Sequence, residues 1–167
     1  MNHRLQRRGV LAATLVAPFL IAGCAYSTGA RGQIDAQNSW QGRLSVRVDA
    51  APVQTLSAAF ELRGSPERGE LTLASPLGTL LAQAHWEPGT VQWRTPQESR
   101  SFPDLPTLAH QLTGTPLPLA ALFDWLHGIP TQVDGWEPDL RDIGQGRITA
   151  QRLSPAPKAT VRVVLDR

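Results

Sequence analysis

From residue 40 to residue 95 apolar and polar positions alternate in a series of short runs. In "WQGRLSVRV" Leu44, Val46 and Val48 share one face while Arg43, Ser45 and Arg47 share the other, the pattern of a half-buried strand. "QTLSAAFELRG" repeats it with Leu56, Ala58, Phe60 and Leu62, and "GELTLAS" continues it with Leu71 and Leu73. "TLLAQAHW" aligns Leu80, Ala82, Ala84 and Trp86, and "VQWRT" follows across "EPGT". Five strands joined by short Gly/Pro turns predict an antiparallel meander.

The period then changes. "DLPTLAHQLTG" places Leu105, Leu108 and Leu112 at helical spacing, with Asp104 as N-cap and Gly114 as the stop. "PLPLAALFDWLHGIP" begins a second helix after Pro116 and Pro118, carries Leu119, Leu122, Phe123 and Leu126 on one side, and stops at Gly128 and Pro130. "GWEPDL", "GRITAQRL" and "ATVRVVLD" predict three further strands. Helices set between two groups of strands are expected to pack on one face of a curved sheet.

The turn "SPLG" has proline at its second position and glycine at its fourth, as a type I turn favours, which leaves Leu77 at the third, usually polar, position. Two readings follow from the turn alone. Leu77 folds back to cap a hydrophobic edge, or it points outward to meet something apolar.

The first 23 residues change the picture of where the domain works. Arg4, Arg7 and Arg8 precede an apolar run from Val10 to Ala22, too short to span a bilayer comfortably and typical of a secretory signal. It ends in Ile21, Ala22, Gly23 and Cys24, which match the bacterial lipobox, where the cysteine is acylated and becomes the new N-terminus. Cys24 is the single cysteine of the chain, so it has no intramolecular disulfide partner, and a free thiol would be a liability in an oxidising compartment. Membrane affinity grows by roughly 0.8 kcal/mol per buried methylene, and stable anchoring needs more than one chain, as N-acyl and S-diacylglycerol groups on Cys24 would supply. Residues 1–23 are thus read as a signal peptide. Residues 24–39 form a lipidated cysteine with a polar tether reaching about 20 Å as a random coil, and residues 40–167 form one domain. Ala25, where aspartate commonly retains enterobacterial lipoproteins in the inner membrane, points to the outer membrane.

Charge then loses its apparent meaning. The chain has 16 basic and 14 acidic residues, but the three signal arginines leave 13 against 14, so the alkaline balance gives no support for nucleic-acid binding. Enzymatic and metal chemistry find no motif either. His85, His110 and His127 lack metal-ligand spacing, and HExxH, GxSxG, CxxC and GxxxxGK[ST] are all missing. His110 and His127 read as solvated or capping groups on helices, and Asp124 beside Trp125 has no evident partner for acid–base work. The expectation is no catalysis, no metal and no cofactor.

Four blocks, "WQGRLSV", "LTLASPLGTLLAQAHWEPG", "LTGTPLPLAALFDWLHGIP" and "RLSPAPKATVRVVLD", together resemble the LolB family of outer-membrane lipoprotein receptors. The resemblance spans about residues 40–166, and its specific part is the SPLG…WEPG and LTGxPLPxxxLxxWLxG pair. It implies an α+β, mainly β fold: an unclosed antiparallel β-barrel, or half-barrel, with a lid of short α-helices over an apolar cavity. It also implies a function, in which the receptor accepts lipoproteins from a soluble periplasmic, LolA-like carrier by binding their acyl chains, and inserts them into outer-membrane lipid. Leu44, Phe60, Leu73, Leu122, Phe123 and Trp125 become candidates for the cavity or lid lining, although their alternation is equally what a packed core requires. Leu77 matches the family's turn leucine implicated in membrane insertion of cargo. The competing readings are a lipid-anchored envelope scaffold without acyl binding, and a lipid-anchored hydrolase, for which no nucleophile is evident.

Overall fold

A computed structural model describes residues 38–166. Cys24, the signal peptide and the tether up to residue 37 lie outside the described residues.

Six strands follow one another as a meander: β1 (Ser39–Val48), β2 (Gln54–Gly64), β3 (Gly69–Ala74), β4 (Leu80–Glu87), β5 (Thr90–Arg94) and β6 (Ser99–Phe102). Two helices, α1 (Leu105–Thr113) and α2 (Leu119–Leu126), come next, and then β7 (Trp136–Asp139), β8 (Arg147–Arg152) and β9 (Ala159–Leu165). All pairings are antiparallel, in the order β6-β5-β4-β3-β2-β1-β9-β8-β7, so β9 closes back onto β1 while β6 and β7 remain unpaired edges. The barrel is therefore unclosed, and the helices lie in the chain between its two edge strands.

The inward face is the one the alternation predicts. Val46 and Val48 of β1, Ala58, Phe60 and Leu62 of β2, Ala82, Ala84 and Trp86 of β4, and Val161 and Val163 of β9 are buried in a single core. Buried residues of both helices, Leu108 of α1 and Phe123, Trp125 and Leu126 of α2, join that same core.

Two departures from the sequence reading have clear causes. β6 was not among the predicted strands because "SRSF" is short and mostly polar, which is how an edge strand avoids pairing with other chains. Leu80 was aligned with the inward face, but the β3–β4 register shifts between Leu73 and Ala74. Leu73 faces Ala82 and Ala74 faces Leu80, so Leu81 is an extra residue, a bulge that carries Leu80 and Leu81 off the core face and leaves both exposed.

Candidate functional site

Of the two helices over the concave face, only α1 has its start fixed by a side-chain cap. The Asp104 carboxylate accepts the Thr107 N–H at 2.7 Å at the start of α1, and Gly114 ends it in the left-handed conformation at φ 66°. α2 starts at Pro118 without a side-chain cap and is held by packing instead. Phe123 meets Trp40 edge-on at 5.9 Å and Trp86 at 6.3 Å, and His127 closes the helix with Nδ1 2.9 Å from the Phe123 carbonyl oxygen.

Between helices and sheet lies an apolar cavity of about 150 Å3. All six sequence-predicted lining residues border it: Leu44, Phe60 and Leu73 from the strands, and Leu122, Phe123 and Trp125 from α2. Sequence reasoning missed Trp93, Leu108 and Val161 as lining, although each sits on an inward face. Val161 faces Val46 and Val163 faces Leu44 across the β1–β9 pairing, so the signal was present but required knowing that β9 returns beside β1.

Three polar groups bordering the cavity, on Trp86, Trp125 and Thr113, are hydrogen-bonded to backbone carbonyls. The Trp86 indole N–H donates to the Ser65 carbonyl at 2.9 Å, and that of Trp125 to the Thr131 carbonyl at 3.0 Å. The Thr113 hydroxyl lies 2.8 Å from the carbonyl oxygens of both Ala109 and Thr115. An apolar void of this kind gives water too few partners to be stable there, and is suited to flexible hydrocarbon. A second recess of about 480 Å3, bordered by Gln54, Thr55, Leu81 and Ala82, shares Val46, Leu56, Leu73, Trp93, Leu112 and Thr113 with the first, so the two spaces adjoin beneath the end of α1.

Leu77 does not belong to the cavity. It is 94% exposed. Its turn is closed by the Gly78 N–H donating to Ser75 O at 2.9 Å and the Ser75 N–H donating to Thr79 O at 2.8 Å. The inward-folding reading of Leu77 is thereby excluded. Asp124 is committed as well, accepting the Thr131 hydroxyl at 2.7 Å. Among the described residues no group of three His, Cys, Asp or Glu is placed to hold a metal ion, and no helix is long and apolar enough to cross a membrane.

Comparison with known proteins shows the family. The sequence model of the family described as outer membrane lipoprotein LolB matches residues 36–155. The outer-membrane lipoprotein LolB of Chromobacterium violaceum is 34% identical over 117 residues, covering 66% of this chain and 63% of that protein. The Bordetella petrii protein of the same name is 28% identical over 185 residues, covering 95% and 92%. That of Cupriavidus necator is 32% identical over 124 residues, covering 71% and 63%, so two of these three relatives are matched over slightly less than two thirds of their length. With the family's sequence pattern running through the meander, both helices and β8, this chain belongs to the LolB family of outer-membrane lipoproteins.

Proposed function

We propose that this protein is an outer-membrane-anchored lipoprotein receptor, held on the periplasmic face through lipid on Cys24. It accepts the acyl chains of lipoproteins from a soluble periplasmic carrier and passes them into the outer membrane. The observation that carries this reading is the apolar cavity between α1, α2 and the concave sheet, beside which the Trp86 and Trp125 indoles and the Thr113 hydroxyl hydrogen-bond to backbone carbonyls. Such a lining favours hydrocarbon. Leu77 supplies the second part of the reading, an exposed apolar tip on a tight turn that meets lipid when cargo is released.

Acyl binding is tested with a fluorescent fatty-acid analogue and the chain lacking its acyl anchor. Saturable one-site binding is expected, because the two spaces adjoin and share six lining residues. Leu122→Gln, which puts an amide into the lining from α2, should weaken binding about tenfold, or about 1.4 kcal/mol, with an unchanged circular-dichroism spectrum. No saturable binding would favour the scaffold reading over the receptor.

A further inference from the structure

Among the described residues, six of the eight exposed large apolar side chains lie at one end of the sheet: Val53, Leu77, Leu80, Leu81, Leu112 and Leu153. Strand pairing places them there. Val48 faces Gln54 beside the β1–β2 turn, Ala74 faces Leu80 beside the β3–β4 turn, and Arg152 faces Ala159 beside the β8–β9 turn. Val48 also faces Ala159, and Ala59 faces Ala74, so these three turns point the same way. The end of α1 arrives at the same place, with Gly114 beside the Gln54 side chain.

The tips of four connections at this end carry no charge. Residues 50–53, 75–79, 114–118 and 153–157 read AAPV, SPLGT, GTPLP and LSPAP. Charges flank these tips: the Arg47–Asp49 pair at 2.9 Å, the Arg100–Glu98 pair at 3.6 Å and Arg94 around the β5–β6 turn, Asp134 and Lys158. The turns of the opposite end carry Glu67, Arg68, Glu87, Asp104, Asp139, Arg141 and Asp142. The β8–β9 turn is also held in place, since the buried Arg152 guanidinium donates to the Pro157 carbonyl at 2.7 and 3.2 Å. Two of the six, Leu81 and Leu112, border the wider recess together with Gln54.

We propose that this whole end, and not Leu77 alone, is a docking rim that seats on the lipid surface of the membrane, and that the domain folds back along its tether to reach it. The inference rests on the receptor reading and on Cys24 as the anchor. Two observations favour a bilayer as the occupant. The proline-containing tips at 50–53, 75–79 and 153–157 present apolar surface with few N–H donors, and four of the flanking charges are paired with one another, Arg47 with Asp49 and Arg100 with Glu98, which leaves little field for a charged protein partner to complement. The second is length. The tether joins the domain at the opposite end, where Asn38 Oδ1 lies 3.0 Å from His127 Nε2 and Trp40 meets the same imidazole edge-on at 4.8 Å. The ten residues of β1 separate that junction from the rim by about 33 Å. The 13 residues 25–37 reach about 45 Å when extended, enough for the rim to meet the bilayer that holds Cys24.

The test uses the full lipidated chain in phosphatidylethanolamine–phosphatidylcholine vesicles containing nitroxide-labelled lipid. Single-cysteine variants Val53→Cys, Leu153→Cys and, as the far-end reference, Arg68→Cys carry an environment-sensitive fluorophore. Quenching at positions 53 and 153 is expected to exceed that at 68 several-fold. Deleting residues 27–34 leaves five tether residues, reaching about 18 Å. That variant should stay anchored and keep acyl-probe uptake while quenching at 53 and 153 falls to the level at 68. Quenching at 53 and 153 no greater than at 68 in the full-length tether overturns the docking rim. So does shielding at those positions that arises only when a protein carrier is added. Undiminished quenching in the deletion variant overturns the fold-back. Rim quenching without acyl-probe uptake supports docking while removing the receptor reading, which keeps the two failures distinct.

Discussion

Leu77 and Thr115 are the residues whose side chains fit least well into ordinary packing. Leu77 stands in water on a turn that its own backbone closes, so its apolar surface contributes little to folding. Burying a leucine side chain in lipid is worth on the order of 2 kcal/mol, enough to bias the orientation of a domain already tethered nearby. Leu77→Glu should leave the unfolding midpoint and acyl-probe binding nearly unchanged, and slow delivery of cargo into vesicles by at least tenfold; loss of probe binding would place Leu77 in the cavity instead. Thr115 is 1% exposed, and its hydroxyl has no hydrogen-bond partner among the described residues. Thr115→Val keeps the shape and removes the unsatisfied group, so denaturant unfolding should show a stability equal to or up to about 2 kcal/mol above that of the parent. The turn chemistry of "SPLG" made the position of Leu77 legible from sequence, but its direction needed the structure. Thr115 left no trace in the sequence, because an unpaired hydroxyl is a property of its surroundings.

At the scale of elements, α1 is self-starting and α2 is not. Hydrogen bonding from the Thr107 side chain and N–H holds the Asp104 carboxyl below its ordinary value of 3.8. A carboxylate depressed in the folded state stabilises fully above that ordinary value, and the contribution disappears as pH falls through the lowered one. Asp104→Ala should therefore raise hydrogen exchange at the amides of Leu105, Thr107 and Leu108 at neutral pH, and its difference from the parent should narrow as pH drops below about 3.8. A difference independent of pH would show that the cap acts through shape and not through its charge. These caps were legible because Asp104 and Gly114 bracket a helical period. The inward strand faces were legible for the same kind of reason, as in β1, where period two runs unbroken and Gly42 has room only for hydrogen beside the Val164 carbonyl of β9. What was not legible was any break in period. The bulge at Leu80–Leu81 follows from how β3 and β4 pair, and β6 has too few apolar residues to announce itself.

For the whole molecule, strands followed by helices and then more strands predicted a curved sheet with helices on one side, and the β1–β9 pairing completes it. The cavity was a different matter. An alternating strand looks the same whether its inward face packs tightly or borders a void, so Leu44, Phe60 and Leu73 could be named from sequence only as one or the other. The open edge between β6 and β7, with two short helices as the filler, is what leaves space where a closed barrel of side chains would have none. If the protein is the receptor proposed above, this space must hold acyl chains more tightly than the carrier that delivers them. The most direct measurement mixes the chain lacking its acyl anchor with a soluble lipoprotein carrier loaded with radiolabelled acylated cargo, and separates the two proteins at equilibrium. The prediction is one-way movement, with cargo at least tenfold enriched on this chain whichever protein carries it at the start, equivalent to about 1.4 kcal/mol. Equal partition, or retention on the carrier, would contradict it.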